Sequence, residues 1–247
     1  MQSPFAFTPD KPVTTVGNIF GTPLKLQGFN WLPLNQVLFW GLFTWQSWKA
    51  RAGWPAWKHL LLGGAKMTVV LGSEWCHNLA HAAAARAVGK PVDALRILFG
   101  MPVLIYAEPE HPSITPRMHI IRSLGGPVCS ACLLALSRLF RRVTPVGSPA
   151  REVAGAAVFM NTFITAAALV PLAEFDGGPV LKWSLISRGC SPQQAAGIIR
   201  TTNRVVGSGL AGAAAAALAR RNWLLALICA LLGGLALRAG FMKNGAG

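Results

Sequence analysis

Gly72-Ser-Glu-Trp-Cys-His-Asn-Leu-Ala-His-Ala82 is the stretch on which the reading of the fold turns. It lies inside an apolar segment, 59–88, that is long enough to span a bilayer of roughly 30 Å with residues to spare. Within it Glu74, His77, Asn78 and His81 recur at i, i+3, i+4 and i+7, which is one face of a helix. His77 and His81 are one turn apart, so both imidazoles can reach a single metal ion, as in helices that carry H-E-x-x-H. Ionisable groups inside a span are costly and usually functional. The plainer alternative is a buried polar cluster that holds neighbouring helices together.

The surrounding composition favours a membrane setting. Of 247 residues 53% are hydrophobic and 13% charged, and the mean hydropathy is +0.44. A soluble chain would carry roughly twice that share of charge. Lys and Arg number 23 against eight acids. These cations are scattered singly between apolar stretches, without a basic stripe, so nucleic acid is excluded as a partner. They suit loops at lipid headgroups, and Trp45, Trp48, Trp54 and Trp57 suit the same interface.

Working outward, residues 1–30 are rich in Pro, Thr and Gly and read as an extended arm. Apolar segments follow at 32–48, 59–88, 118–140 (broken by Gly125-Gly126-Pro127) and 152–173. After a polar stretch with Lys182, Arg188, Arg200 and Arg204, a helical hairpin closes the chain at 205–219 and 223–239. Residues 91–116, interrupted by Gly100, Pro102 and Glu108-Pro-Glu-His111, suit short strands or a re-entrant hairpin.

The expected fold class is therefore an all-α polytopic membrane protein. It would have about six transmembrane helices and a small membrane-associated β-sheet or re-entrant hairpin after the second. The expected organisation is the arm at 1–30, one membrane domain at 31–241 with a metal-site core at 59–185 and the hairpin at 205–241, and a tail at 242–247. Cations are in excess on the side of the termini, which points to cytoplasmic termini in an inner membrane of bacterial or archaeal type.

The fourth segment ends Leu169-Val-Pro-Leu-Ala-Glu-Phe-Asp-Gly-Gly-Pro179. A carboxylate at Asp176 could be the third ligand of a tetrahedral zinc, leaving one position for water. Taken alone, Asp-Gly-Gly is equally an ordinary turn at a helix exit.

Together these pieces resemble the site-2 protease family, the intramembrane zinc metalloproteases. Its H-E-x-x-H is met by His77-Asn-Leu-Ala-His81 and its D-G-G motif by Asp176-Gly-Gly178, with Pro171 at the usual distance before the Asp. Gly21–Gly28 resembles the family's N-terminal strand, 91–116 sits where the family has a membrane-associated sheet, and Gly125-Gly126-Pro127 resembles its G-P helix.

The resemblance implies one zinc on His77, His81 and Asp176, and peptide hydrolysis within the membrane. One departure stands against that activity. The family's general-base Glu is here Asn78, whose amide cannot take up a proton. The family's substrate-holding Asn falls at Ala168, although Asn161 earlier on the same segment keeps a polar group that could contact substrate.

Glu74, one turn before His77, could act as a displaced base or as a further ligand in a closed site, which would also accept iron or manganese. Glu174 is a second nearby acid. The expected protein is thus a metal-binding relative with peptide hydrolysis lost or altered, able to recognise transmembrane segments. The alternatives are an active protease using Glu74, or a structural subunit of a larger membrane complex.

Overall fold

The computed structural model describes residues 7–8, 11–109, 111–173 and 175–241. The tail and parts of the N-terminal arm lie outside the described residues. The chain divides into two compact units, Met1–Ile114 with Leu124–Ala166, and Thr115–Ser123 with Ala167–Gly247.

The first unit opens with strands β1 (Val13–Ile19) and β2 (Thr22–Gln27), then helices α1 (Leu34–Ala50) and α2 (Ala56–Ala87), then β3 (Ala94–Leu98) and β4 (Met101–Ile105). The strands form one sheet in the order β1-β2-β3-β4, antiparallel except for the parallel β2–β3 pairing of Leu24 with Leu95 and Lys25 with Arg96. The arm is therefore not free of secondary structure, and the sheet draws strands from before the first helix as well as after the second.

Both hairpins turn on a Phe-Gly pair with positive φ at each residue, Phe20-Gly21 and Phe99-Gly100. That is the backbone a two-residue turn of the I′ kind requires. The second turn is clamped onto the helices. Asn35 Nδ2 donates to Phe99 O at 2.8 Å, and Gln36 Nε2 and Trp75 Nε1 donate to Gly100 O at 2.9 and 3.1 Å.

Helices α3 (Pro116–Val143) and α4 (Pro149–Ala168) follow. Gly125-Gly126-Pro127 does not break α3, which runs through Pro127 as one helix. The proline forfeits a hydrogen bond without ending the helix. Helix α4 stops at Ala168, short of the expected 173, because Pro171 lacks an N–H and biases its neighbour away from helical backbone.

Glycines let the helices of this unit approach closely. A Cβ at Gly63 would meet the Thr44 backbone nitrogen at 2.7 Å, and one at Gly125 would meet Ala80 O at 2.7 Å. Glu152 on α4 ties the helices together by ion pairs, one oxygen to Arg51 Nη2 and the other to Lys66 Nζ, each at 2.6 Å. Lys66 is thus neutralised by Glu152.

The second unit holds α5 (Gly177–Ser187), α6 (Pro192–Ala219) and α7 (Trp223–Phe241). The polar stretch that holds Lys182, Arg188, Arg200 and Arg204 is largely helical, covered by the end of α5 and the first half of α6. Ser191 starts α6 with a reciprocal capping box to Gln194, and Pro192 occupies the first turn. The α6–α7 pair is close-packed through glycine, since a Cβ at Gly207 would meet the Leu237 nitrogen at 2.9 Å.

The chain is mostly helical, with seven α-helices among the described residues. Two of them, α3 and α7, are long and apolar enough to cross a bilayer by length and composition. Helix α1 at 17 residues reaches only about 26 Å, and α2 and α6 carry polar side chains along their length.

Candidate metal centre

Helix α2 places His77, Asn78 and His81 inside the molecule, all less than a tenth exposed. The two imidazoles lie edge to face, with ring centroids 4.7 Å apart at 81°. Their Nε2 atoms face each other at 3.1 Å. Two nitrogens bound to one tetrahedral zinc at about 2.0–2.1 Å would sit roughly 3.3 Å apart, so the pair is spaced for a shared ion.

Helix α3 makes the room and fixes the rings. A Cβ at Gly126 would overlap His81 Nε2 and fall 2.6 Å from His77 Nε2. No side chain fits there. The Gly126 N–H points at His81 Nδ1 at 3.3 Å, and fully buried Ser130 Oγ lies 3.0 Å from His77 Nδ1. Each imidazole is thus held at Nδ1, but in different roles: His81 Nδ1 accepts the backbone N–H, so the proton of a neutral His81 lies on Nε2 and faces His77 Nε2. Neither Gly126 nor Ser130 was singled out as a site residue by sequence.

In the second unit, Asp176 is the residue before α5, with helical backbone angles and no side-chain capping bond. The two glycines after it are required by packing. A Cβ on Gly177 would meet Leu169 O and Val170 O at 2.5 Å, and one on Gly178 would overlap Leu172 O. With His77 and His81 of the first unit, Asp176 makes up a set of two imidazoles and a carboxylate of the kind that could hold a metal ion.

Other expected residues fall outside that group. Asn78 Nδ2 donates to Glu74 O at 3.0 Å and to Glu74 Oε1 at 3.1 Å, so the carboxylate is tethered one turn back along α2. Glu74 is not among the three grouped residues. Glu174 lies outside the described residues. Asn161 is almost fully buried, and its Nδ2 donates to Ser73 Oγ and Ala157 O, both at 2.9 Å, tying α4 to α2 one turn before His77.

The remaining histidines sit elsewhere. His59 bonds to Ser47, His111 to Ser113, and His119 stacks on Trp183.

The solved structure of a site-2 protease from Methanocaldococcus jannaschii superposes with a TM-score of 0.54, over 96% of this chain and 99% of that one, at 13% identity. The fold is that of a site-2 protease. By sequence the chain is 30% identical over 154 residues to "Putative zinc metalloprotease Rip3" from two strains of Mycobacterium tuberculosis. That match covers 59% of this chain, which spans 38% of the length of those curated relatives. No family model matches the chain. Both likenesses bear out the site-2 protease resemblance that His77, His81 and Asp176 carry in the sequence.

Proposed function

We propose that this chain is a multi-pass membrane metalloprotein. One divalent metal, zinc, would be bound by His77, His81 and Asp176, and peptide hydrolysis by the family's usual route would be lost or altered. The observation that carries the reading is the 3.1 Å approach of two buried Nε2 atoms over a glycine that leaves them room. The donor set of two imidazoles and a carboxylate is a zinc set with one position to spare, where the metal would polarise a carbonyl or activate water.

The general base is what the chain lacks. Asn78 keeps the shape of a glutamate and offers an amide N–H, which it donates to Glu74. An amide does not accept a proton from water at any working pH. The Glu74 carboxylate is engaged by the Asn78 amide, which weighs against a displaced base.

A bilayer setting is supported by α3 and α7 and by large side chains on outer faces, such as Val128, Leu136 and Phe140 on α3 and Leu224, Leu227 and Leu231 on α7, each about half exposed or more. The proposed arrangement has six crossings with cytoplasmic termini. A transmembrane segment of another protein, or a larger membrane complex, is the proposed partner.

Metal analysis of the purified full chain tests the reading. One zinc per chain is expected, and none in His77→Ala/His81→Ala. Unchanged metal in the double variant would refute the ligand assignment.

A further inference from the structure

We infer that Ser130 is a positioning residue of the metal centre: its buried hydroxyl accepts the Nδ1 proton of His77 and holds that imidazole in the tautomer whose Nε2 faces the ion. This rests on the metal reading above and adds to it a residue on another helix, 53 positions along the chain from its histidine.

The geometry carries the argument. A neutral imidazole has one proton, and the nitrogen that binds a metal must be the other one. His81 Nδ1 accepts the Gly126 N–H, so His81 carries its proton on Nε2 and points it at His77 Nε2, which is therefore the unprotonated atom that His77 offers. The His77 proton then belongs on Nδ1, inside the protein, where an N–H without an acceptor is destabilising. Ser130 Oγ, 3.0 Å away and wholly buried, is that acceptor.

The hydroxyl is not spent in the manner usual for a serine within a helix, a bond back to the carbonyl one turn earlier. Ser73 on α2 does make that bond, to Val69 O at 2.7 Å. Ser130 reaches across to α2.

Its position on α3 fits the same purpose. It follows Gly126 by four residues and so lies on the same helix face. That face therefore presents a glycine that clears space at Nε2 and a hydroxyl that fixes Nδ1. More commonly a metal-bound histidine gives its outer N–H to a carboxylate or carbonyl. A neutral hydroxyl orients the ring without adding negative charge beside it.

The molecule supplies a matched control. Ser47 Oγ lies 2.9 Å from His59 Nδ1, equally buried and on the same unit, but His59 has no place in the metal group. Zinc affinity of the full chain in detergent would be read by competition with a chromophoric chelator. Ser130→Ala should weaken zinc by about 10–100-fold, the usual effect of losing such a partner. Ser47→Ala should leave zinc affinity at the wild-type value.

Equal affinity of Ser130→Ala and wild type would overturn the inference while sparing the metal reading. Equal losses in the two serine variants would reduce Ser130 to a packing role and overturn it as well. A wild-type chain that takes up no zinc would overturn both readings.

A second readout needs no metal. Nitrogen-15 spectra of labelled histidine in the metal-free chain should show His77 protonated at Nδ1 in the wild type. In Ser130→Ala it should move toward the Nε2–H form that free imidazole side chains favour. The same tautomer in both would also overturn the inference.

Discussion

Helix α2 carries two buried histidines whose Nδ1 atoms are held by buried serines, and the two pairs end differently. His59, wholly buried, is bonded at Nδ1 to Ser47 at 2.9 Å and at Nε2 to the Trp54 carbonyl at 3.2 Å, and it stacks on Trp48 at 4.9 Å. Both nitrogens have partners suited to a single neutral tautomer, so the ring is a finished joint between α1 and α2. His77 also meets a serine at Nδ1, there as the donor to Ser130, and its Nε2 meets another nitrogen, that of His81, beside a residue without a side chain. Polarity at a buried histidine is therefore no sign of a site by itself. What the second nitrogen faces separates a joint from a ligand.

The comparison can be broken by exchanging the outcomes. His77→Ala should abolish stoichiometric zinc. His59→Ala should keep it while destabilising the fold by about 1–3 kcal/mol through unpaired buried partners, read as a lowered Tm. Retained zinc in the first variant, or lost zinc in the second, would dissolve the distinction.

Asn78→Glu restores a proton acceptor beside the metal pair. Peptidase activity on a transmembrane reporter should rise by about 10²–10⁴-fold over the wild-type chain, the usual contribution of general-base catalysis. No gain in a variant that still holds zinc would show that more than the base is missing.

Gly126→Ala puts a methyl group where the imidazoles meet. It should weaken zinc binding and destabilise the chain by about 1–3 kcal/mol, the ordinary penalty for overpacking. Chemical denaturation alongside metal titration checks both. Smallest of all, Glu74→Gln should leave the zinc affinity unchanged, since the carboxylate is bonded to Asn78 and is not one of the three grouped residues.

The sequence showed the polar face of α2 plainly, because a helix places i, i+4 and i+7 together without help from the rest of the chain. Asp176 could be paired with it through the family resemblance. Ser130 could not, since a serine between Cys129 and Cys132 in an apolar helix looks like packing until α2 and α3 are seen side by side. Gly125-Gly126, one turn earlier, was the available hint of a close approach.

The first hairpin was missed because its turn is Phe20-Gly21, where the familiar signal is Asn-Gly. The start of α6 was announced by Ser191-Pro-Gln-Gln194, but the arginines after it made the stretch look like a loop.

The central claim is that His77, His81 and Asp176 share one ion. Anomalous diffraction at the zinc edge, from crystals of the full chain grown with zinc, tests it most directly. The account predicts one peak within about 2.0–2.2 Å of a ring nitrogen of His77, a ring nitrogen of His81 and an Asp176 oxygen. A zinc peak elsewhere, for example on Cys129 and Cys132, or no peak at the two histidines, would contradict it.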